Sequence, residues 1–249
     1  MHDIILKLDE INYTFSFAFV KGTGNETFDF GFGNENHIKV AVNDFYISKF
    51  VVTQKLWQCI MSYNPSRVKN EDKPVTDVSY KNIVSGNGFI ACLNKKFPLL
   101  NNCLYRLPSE TEWEYAARGG KHWKDLFTYS GSNDINEVAW YDKNSNNKLQ
   151  PSGKKKSNQL DIYDMSGNIW EWCADYFQRD INKIPLDGSA CLEESSYRVV
   201  RGGSFKNWSI HCTVMKRYEI NPDLTGGDVG FRLVLQSSGE KLSWPSPTP

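Results

Sequence analysis

With 29 lysines and arginines against 29 aspartates and glutamates in 249 residues, the chain carries no net charge, which argues against a nucleic-acid partner or an anionic membrane surface. No apolar run reaches the roughly 20 residues of a membrane span, and six cysteines with no CxxC pair are too sparse for a disulfide scaffold or a zinc ribbon. The aromatic share of 14%, with 8 tryptophans, suits an irregular fold packed by large rings or a surface that binds something.

Met1 to Leu8 leads into charge rather than into a long apolar segment and a cleavage site, so the chain as given reads as cytoplasmic, or as surface or secreted if a leader has been removed. Ile11 to Val20 is β-branched and aromatic and predicts a strand. Phe28, Phe30 and Phe32 alternate within a Gly- and Asn-rich stretch, as in a strand or hairpin with a phenylalanine face, and Ile38 to Val51 continues the strand pattern. Thr53 is placed to cap a helix over QKLWQCIM, with Leu56, Trp57 and Ile60 on one face, and Asn64-Pro65-Ser66 ends it. Tyr80 to Leu93 predicts a second helix interrupted by Gly86 and Gly88. Ser109 and Glu112 form an S-x-x-E capping box ahead of WEYAARGG, and Gly119 is the natural stop.

From Gly120 to Asp161 the composition turns to loop, and Lys154-Lys155-Lys156 reads as a solvated turn rather than a binding patch. Asp164 to Cys173, DMSGNIWEWC, then packs a turn and an alternating strand into ten residues. Gly167 supplies a positive φ and Asn168 tolerates one; Trp170 and Trp172 point to one face, Glu171 and Cys173 to the other. Such a stretch serves simply as a packed turn and strand, or brings Asp164, Glu171 and free turn carbonyls onto a hard cation such as calcium, which takes six to eight oxygens. Tyr197 to Ser204 reads as a strand entering a Gly-Gly turn, and Val229 to Leu235 as a final strand. No internal repeat is present. The sum is an α+β chain with two or three helices, many short strands and long loops, expected as one domain over residues 1–236 with a disordered tail over 237–249.

Taken together, FYISKFVVTQKLW, KPVTDVSY, YRLPSETEWEYAARGG, VAWYDKNS, LDIYDMSGNIWEWCADYF, RVVRGGSF and GFRLVL follow the order and spacing of the formylglycine-generating enzyme (sulfatase-modifying factor) family. The resemblance runs from about Phe45 to Leu235 and implies that family's variant of the C-type lectin fold, with little regular secondary structure. It also implies structural calcium, held by Asp164 and Glu171 through their side chains and by Gly167 and Ile169 through their carbonyls, with Asp142, Asn144 and Asp161 as candidates for a further ion.

In catalytic members, copper(I) bound by two cysteines activates oxygen to convert a substrate cysteine to formylglycine. The positions matching those cysteines here are Asn207 and Cys212, while Ser204 matches the serine near the oxygen site. Copper(I) prefers soft thiolates, and an amide is a hard, weak donor, so the pattern argues against copper. His211 as a substitute ligand is disfavoured if the segment is extended, because neighbouring side chains then diverge. A disulfide between Cys212 and Cys173 requires an oxidising compartment.

Phe205 to Gly227 lies between two family anchors and shows neither helical nor strand periodicity. Some lectin-fold relatives carry their ligand surface in this stretch, and in certain bacterial and phage systems retroelements diversify it. The resemblance therefore implies a non-catalytic module that binds a protein or small-molecule ligand through Phe205, Asn207, Trp208, His211, Met215, Lys216 and Tyr218. The rival reading is a copper-dependent oxidase using Cys212 and Ser204. A non-heme-iron relative would add a histidine-bearing helical domain, for which 4 histidines and no H-x-x-x-H helix provide no basis.

Overall fold

The computed structural model describes residues 3–8, 13–31, 37–99 and 103–236; Ile11, Phe32 and the expected tail over 237–249 lie outside the described residues. Strand β1 (Ile4–Leu8) pairs antiparallel with β2 (Tyr13–Val20), and β2 with β5 (Phe45–Ser48). A five-stranded sheet of order β1-β2-β5-β11-β6 is completed by β6 (Leu104–Arg106) and β11 (Val234–Gln236). The final strand thus sits between strands from the first half of the chain, with Val234 opposite both Ile47 and Arg106.

The expected strand from Ile38 to Val51 divides in two. Its first part, β4 (Ile38–Val40), forms a separate hairpin with β3 (Phe28–Phe30). A second sheet has the order β10-β7-β8-β9, built from β7 (Trp170–Tyr176), β8 (Arg198–Arg201), β9 (Arg217–Ile220) and β10 (Val229–Gly230). The expected strand over 229–235 is divided as well, because its two ends join different sheets. Phe231 between them is buried against Trp57 and Phe89, at ring separations of 6.1 and 5.3 Å.

The helices follow their local signals. Thr53 Oγ1 accepts the Leu56 N–H at the start of α1 (Gln54–Met61), which buries Leu56, Trp57 and Ile60. The interrupted helix resolves into α2 (Tyr80–Val84) and α3 (Phe89–Lys96), with Gly88 as N-cap of the second. In α4 (Glu110–Ala117) the capping box forms: Ser109 Oγ accepts the Glu112 N–H at 3.1 Å, and Glu112 Oε2 accepts the Ser109 N–H at 2.8 Å. All eight residues of α4 are buried, so the helix has no solvent face and its glutamates need partners within the protein. A short α5 (Ile135–Val138) follows.

Two large apolar clusters lie on either side of this framework. One gathers α1, α2 and α3 against Trp170 and Trp172; the other gathers the β3-β4 hairpin and α4 against Cys173. The alternation expected for WEWC therefore holds, but both faces of β7 are buried. Among the described residues, no helix is long and apolar enough to cross a membrane.

Candidate functional site

The stretch 164–169 is bonded on both sides. Gly167 has φ +76, and a Cβ there would lie 2.2 Å from the Trp140 carbonyl oxygen, so no larger residue fits. Its N–H donates to Gly202 O at 2.8 Å, while the Asn168 N–H donates to Trp140 O at 2.8 Å and the Phe205 N–H to Asn168 O at 2.9 Å. Asn168 adopts φ 64, and its side chain bonds the Gln150 backbone through both amide ends. The turn thereby fixes the start of the 202–212 segment.

The residues expected to hold calcium are partly committed to other partners. Both Glu171 oxygens meet Arg232, at 2.6 and 2.8 Å, and Oε2 also accepts the Trp113 indole N–H at 2.7 Å, with Glu171 and Arg232 both fully buried. Three donors on two oxygens leave one lone-pair site, on Oε1. Asp164 is buried, with Oδ2 accepting the Gly153 N–H at 2.7 Å. Burial pushes its carboxyl up to about 6 and the nearby Glu171 charge adds to this, while the Gly153 N–H and Arg232 oppose it. Gly167 O accepts the Ile169 N–H at 2.9 Å and retains a second lone pair. Of the acceptors expected for calcium, Glu171 thus has only Oε1 left to offer.

Two of the three candidates for a further ion, Asn144 and Asp161, are engaged elsewhere. The Asn144 side chain bonds the Tyr141 N–H and Ala139 O, Asp161 pairs with Lys49, and Asp142 Oδ1 is buried without a partner. Among the described residues, no group of three or more His, Cys, Asp or Glu is placed to hold a metal.

Asn207 occupies a tightly bonded position. Its Oδ1 accepts the Ser204 N–H at 2.9 Å and faces Ser204 Oγ at 2.7 Å, while its own N–H donates to Ser204 O at 3.0 Å. The amide closes the turn after Gly203, a task for which a thiol, as a weak acceptor, is poorly suited. Ser204 Oγ also lies 2.8 Å from Asp228 Oδ2. Cys212 is fully buried among Ile135, Ala139 and Tyr141, and burial, with the Asp142 charge adding to it, pushes its thiol up to about 12. Cys173 and Cys212 are both free thiols and belong to different apolar clusters, so the contemplated disulfide is not formed. The segment at His211 is a 3-10 turn over Ser209–His211, not an extended strand as supposed, and His211 Nδ1 is buried without a hydrogen-bond partner.

The expected recognition residues divide. Trp208 is 67% exposed and Tyr218 46%, the latter stacked on Trp170 at 5.2 Å, whereas Phe205 is 5% exposed and packs with Val51, Leu149 and Ile169. Phe205 is thus a core residue and not part of the surface. Asn207, His211, Met215 and Lys216 are half-buried. Ile210 and Leu224, not singled out from sequence, are exposed and enlarge the apolar surface.

Also missed was the charge network that anchors the RGGS strand. Arg201 is fully buried, bonding Glu110 at 3.0 Å, Glu114 at 2.6 Å and Val214 O at 2.7 Å, and Arg217 forks onto Glu110 at 2.7 Å. The one hint in sequence was the spacing of Glu110 and Glu114, four apart and hence on one helical face.

With this geometry in view, comparison with known proteins is decisive for family. The sulfatase-modifying factor enzyme 1-like domain matches residues 18–237. The chain belongs to the sulfatase-modifying-factor family. A relative named chaperone protein LppX, from Paenibacillus barcinonensis, is 30% identical over 86% of this chain and 87% of its own length. The formylglycine-generating enzyme of Streptomyces coelicolor is 31% identical, but over 51% of this chain and 45% of its own length. Among solved structures, Treponema denticola variable protein 1 superposes with a TM-score of 0.81 at 25% identity, over 93% of this chain and 98% of that one. PvdO from Pseudomonas aeruginosa gives 0.72 at 23% identity over 94% and 98%, a likeness of fold alone. The family's C-type-lectin-like fold is therefore the fold of this chain.

Proposed function

We propose that this member of the sulfatase-modifying-factor family is a non-catalytic binding module, calcium-stabilised at Asp164, that recognises its ligand through the surface within residues 205–227. The observation that carries the reading is Asn207. Where catalytic relatives place a copper-ligating cysteine, this chain has an amide whose oxygen is spent on the Ser204 N–H. Immediately beside it Trp208 stands 67% exposed, and Ile210 and Tyr218 extend the apolar area. Aromatic anchors in such a setting are what binding surfaces use. The relative named a chaperone protein favours a protein ligand, and the relative named a variable protein fits a surface where Trp208 and Ile210 stand exposed, free of the core.

The retained pair Ser204 and Cys212, with the identity to a formylglycine-generating enzyme, supports the second reading, a copper-dependent oxidase acting on a cysteine. Titration of the reduced full chain with copper(I) separates them. The binding-module reading expects no tight one-to-one complex; tight stoichiometric binding that disappears in Cys212→Ser would establish the second reading instead. For calcium, addition is expected to raise the melting temperature of the wild type and not that of Asp164→Ala. An equal response in both proteins would remove the ion from the proposal.

A further inference from the structure

Away from that surface, a hollow of about 640 Å3 is lined by Lys154, Lys155, Lys156, Ser157, Tyr163 and Glu137, among others. It is a shallow depression open to solvent, with a lining more polar than apolar. The charge around it is lopsided for a neutral protein: residues 143–156 (KNSNNKLQPSGKKK) contain five lysines and no carboxylate.

The three lysines of the wall are not equivalent. Lys156 Nζ pairs with Glu137 Oε1 at 2.8 Å. Lys155 Nζ donates to Asn136 O at 2.6 Å and lies 4.2 Å from the centre of the Trp140 ring, contacts that hold the ammonium in place without cancelling its charge. Lys154 is exposed and makes no ion pair or hydrogen bond. Among the lining side chains three ammonium groups stand against one carboxylate, with the buried Asp164 carboxylate behind Gly153, whose N–H it accepts at 2.7 Å.

Tyr163 completes the lining on a rigid support. Its ring stacks on Phe50 at 4.9 Å and 13°, its N–H donates to Lys49 O, and its carbonyl accepts from Arg232 at 2.8 Å, while its hydroxyl has no hydrogen-bond partner. The loop is also tied to α5, where the Lys156 N–H donates to Glu137 O at 3.0 Å. Fixed lysines, one uncommitted lysine, a free phenol and an aromatic ring together match a compact oxyanion on a flat organic body.

We propose that the hollow between the 153–157 loop and α5 binds a phosphate or sulfate ester carried on a ring, with Lys154, Lys155 and Lys156 holding the oxyanion and Tyr163 contacting the ring and donating its hydroxyl. The site is independent of the ligand surface over 205–227. Phenyl phosphate and phenyl sulfate, titrated calorimetrically into the full chain, test it. Saturable one-to-one binding of at least one ester is expected, weakening as salt rises, and Lys154→Glu should weaken it about tenfold or more, since it reverses an uncommitted charge. Because Lys154 is exposed and unpartnered, that variant should keep the wild-type melting temperature. Preference for one ester identifies whether the natural group is phosphate or sulfate. Absence of saturable binding by both esters, or equal binding by wild type and a folded Lys154→Glu, overturns the proposal.

Discussion

The turn at 164–171 and the segment at 205–218 are joined by the hydrogen bond from the Phe205 N–H to Asn168 O, yet they are built on opposite terms. In the turn, Asp164, Asn168 and Glu171 are buried and every one of these side chains is bonded within the fold. Beyond Phe205, the segment presents Trp208, Ile210 and Tyr218 to solvent and leaves His211 Nδ1 unpartnered. Side chains that hold the frame cannot vary without loss of stability, whereas Trp208 and Ile210, which face solvent, can change with little structural consequence. A binding surface mounted on a fixed turn needs that division.

Substitutions on the two sides should differ accordingly. The largest effect is expected for Arg232→Ala, which leaves Glu171 charged, buried and held by the Trp113 indole alone; breaking such a pair costs about 3–5 kcal/mol. Urea unfolding measures it, and a loss below about 1 kcal/mol would show that the frame tolerates an unpaired charge.

Next is the pH response of Asp175, whose oxygens accept the Glu110 and Cys191 N–H groups at 2.7 and 2.8 Å. Burial and then the Glu110 charge push its carboxyl up to about 7 from 3.8. The folded state therefore holds this proton more tightly than the unfolded chain. Its contribution is complete below the unfolded value and lost as pH rises through the folded one, at a slope on the order of 1 kcal/mol per pH unit across that window. Unfolding midpoints of wild type and Asp175→Asn between about pH 4 and pH 7 should diverge by that slope; parallel profiles would refute it.

A smaller loss, about 1 kcal/mol, is expected for Asn207→Ala, which removes the acceptor for the Ser204 N–H. If Asn207→Ala is neutral by the same measurement, the amide is not closing the turn. The smallest effect is expected at Trp208→Ala, within about 0.5 kcal/mol because the side chain is mostly solvated. A larger destabilisation there would place Trp208 with the frame and erase the contrast between the two regions.

Local chemistry was legible in the sequence where its partners lie close along the chain. The Ser109 and Glu112 box and the Thr53 cap each join residues three apart, and the turn geometry at Gly167 and Asn168 follows from their own backbone preferences. The seven ordered motifs likewise carried the family and hence the fold. What the sequence could not show was where long-range partners meet. Val229 to Leu235 looks like one strand because alternation does not reveal that its ends enter different sheets. Glu171 looked like an uncommitted carboxylate until Arg232, 61 residues on, was found against it, and the Arg201 contact with Glu110 spans 91 residues. Phe205 and Trp208, both aromatic and three positions apart, were separated only by burial. The sequence by itself determined caps, turns and family, because these depend on neighbours along the chain; tertiary structure alone decided which charges are paired and which rings face solvent, because those depend on what the rest of the chain brings to them.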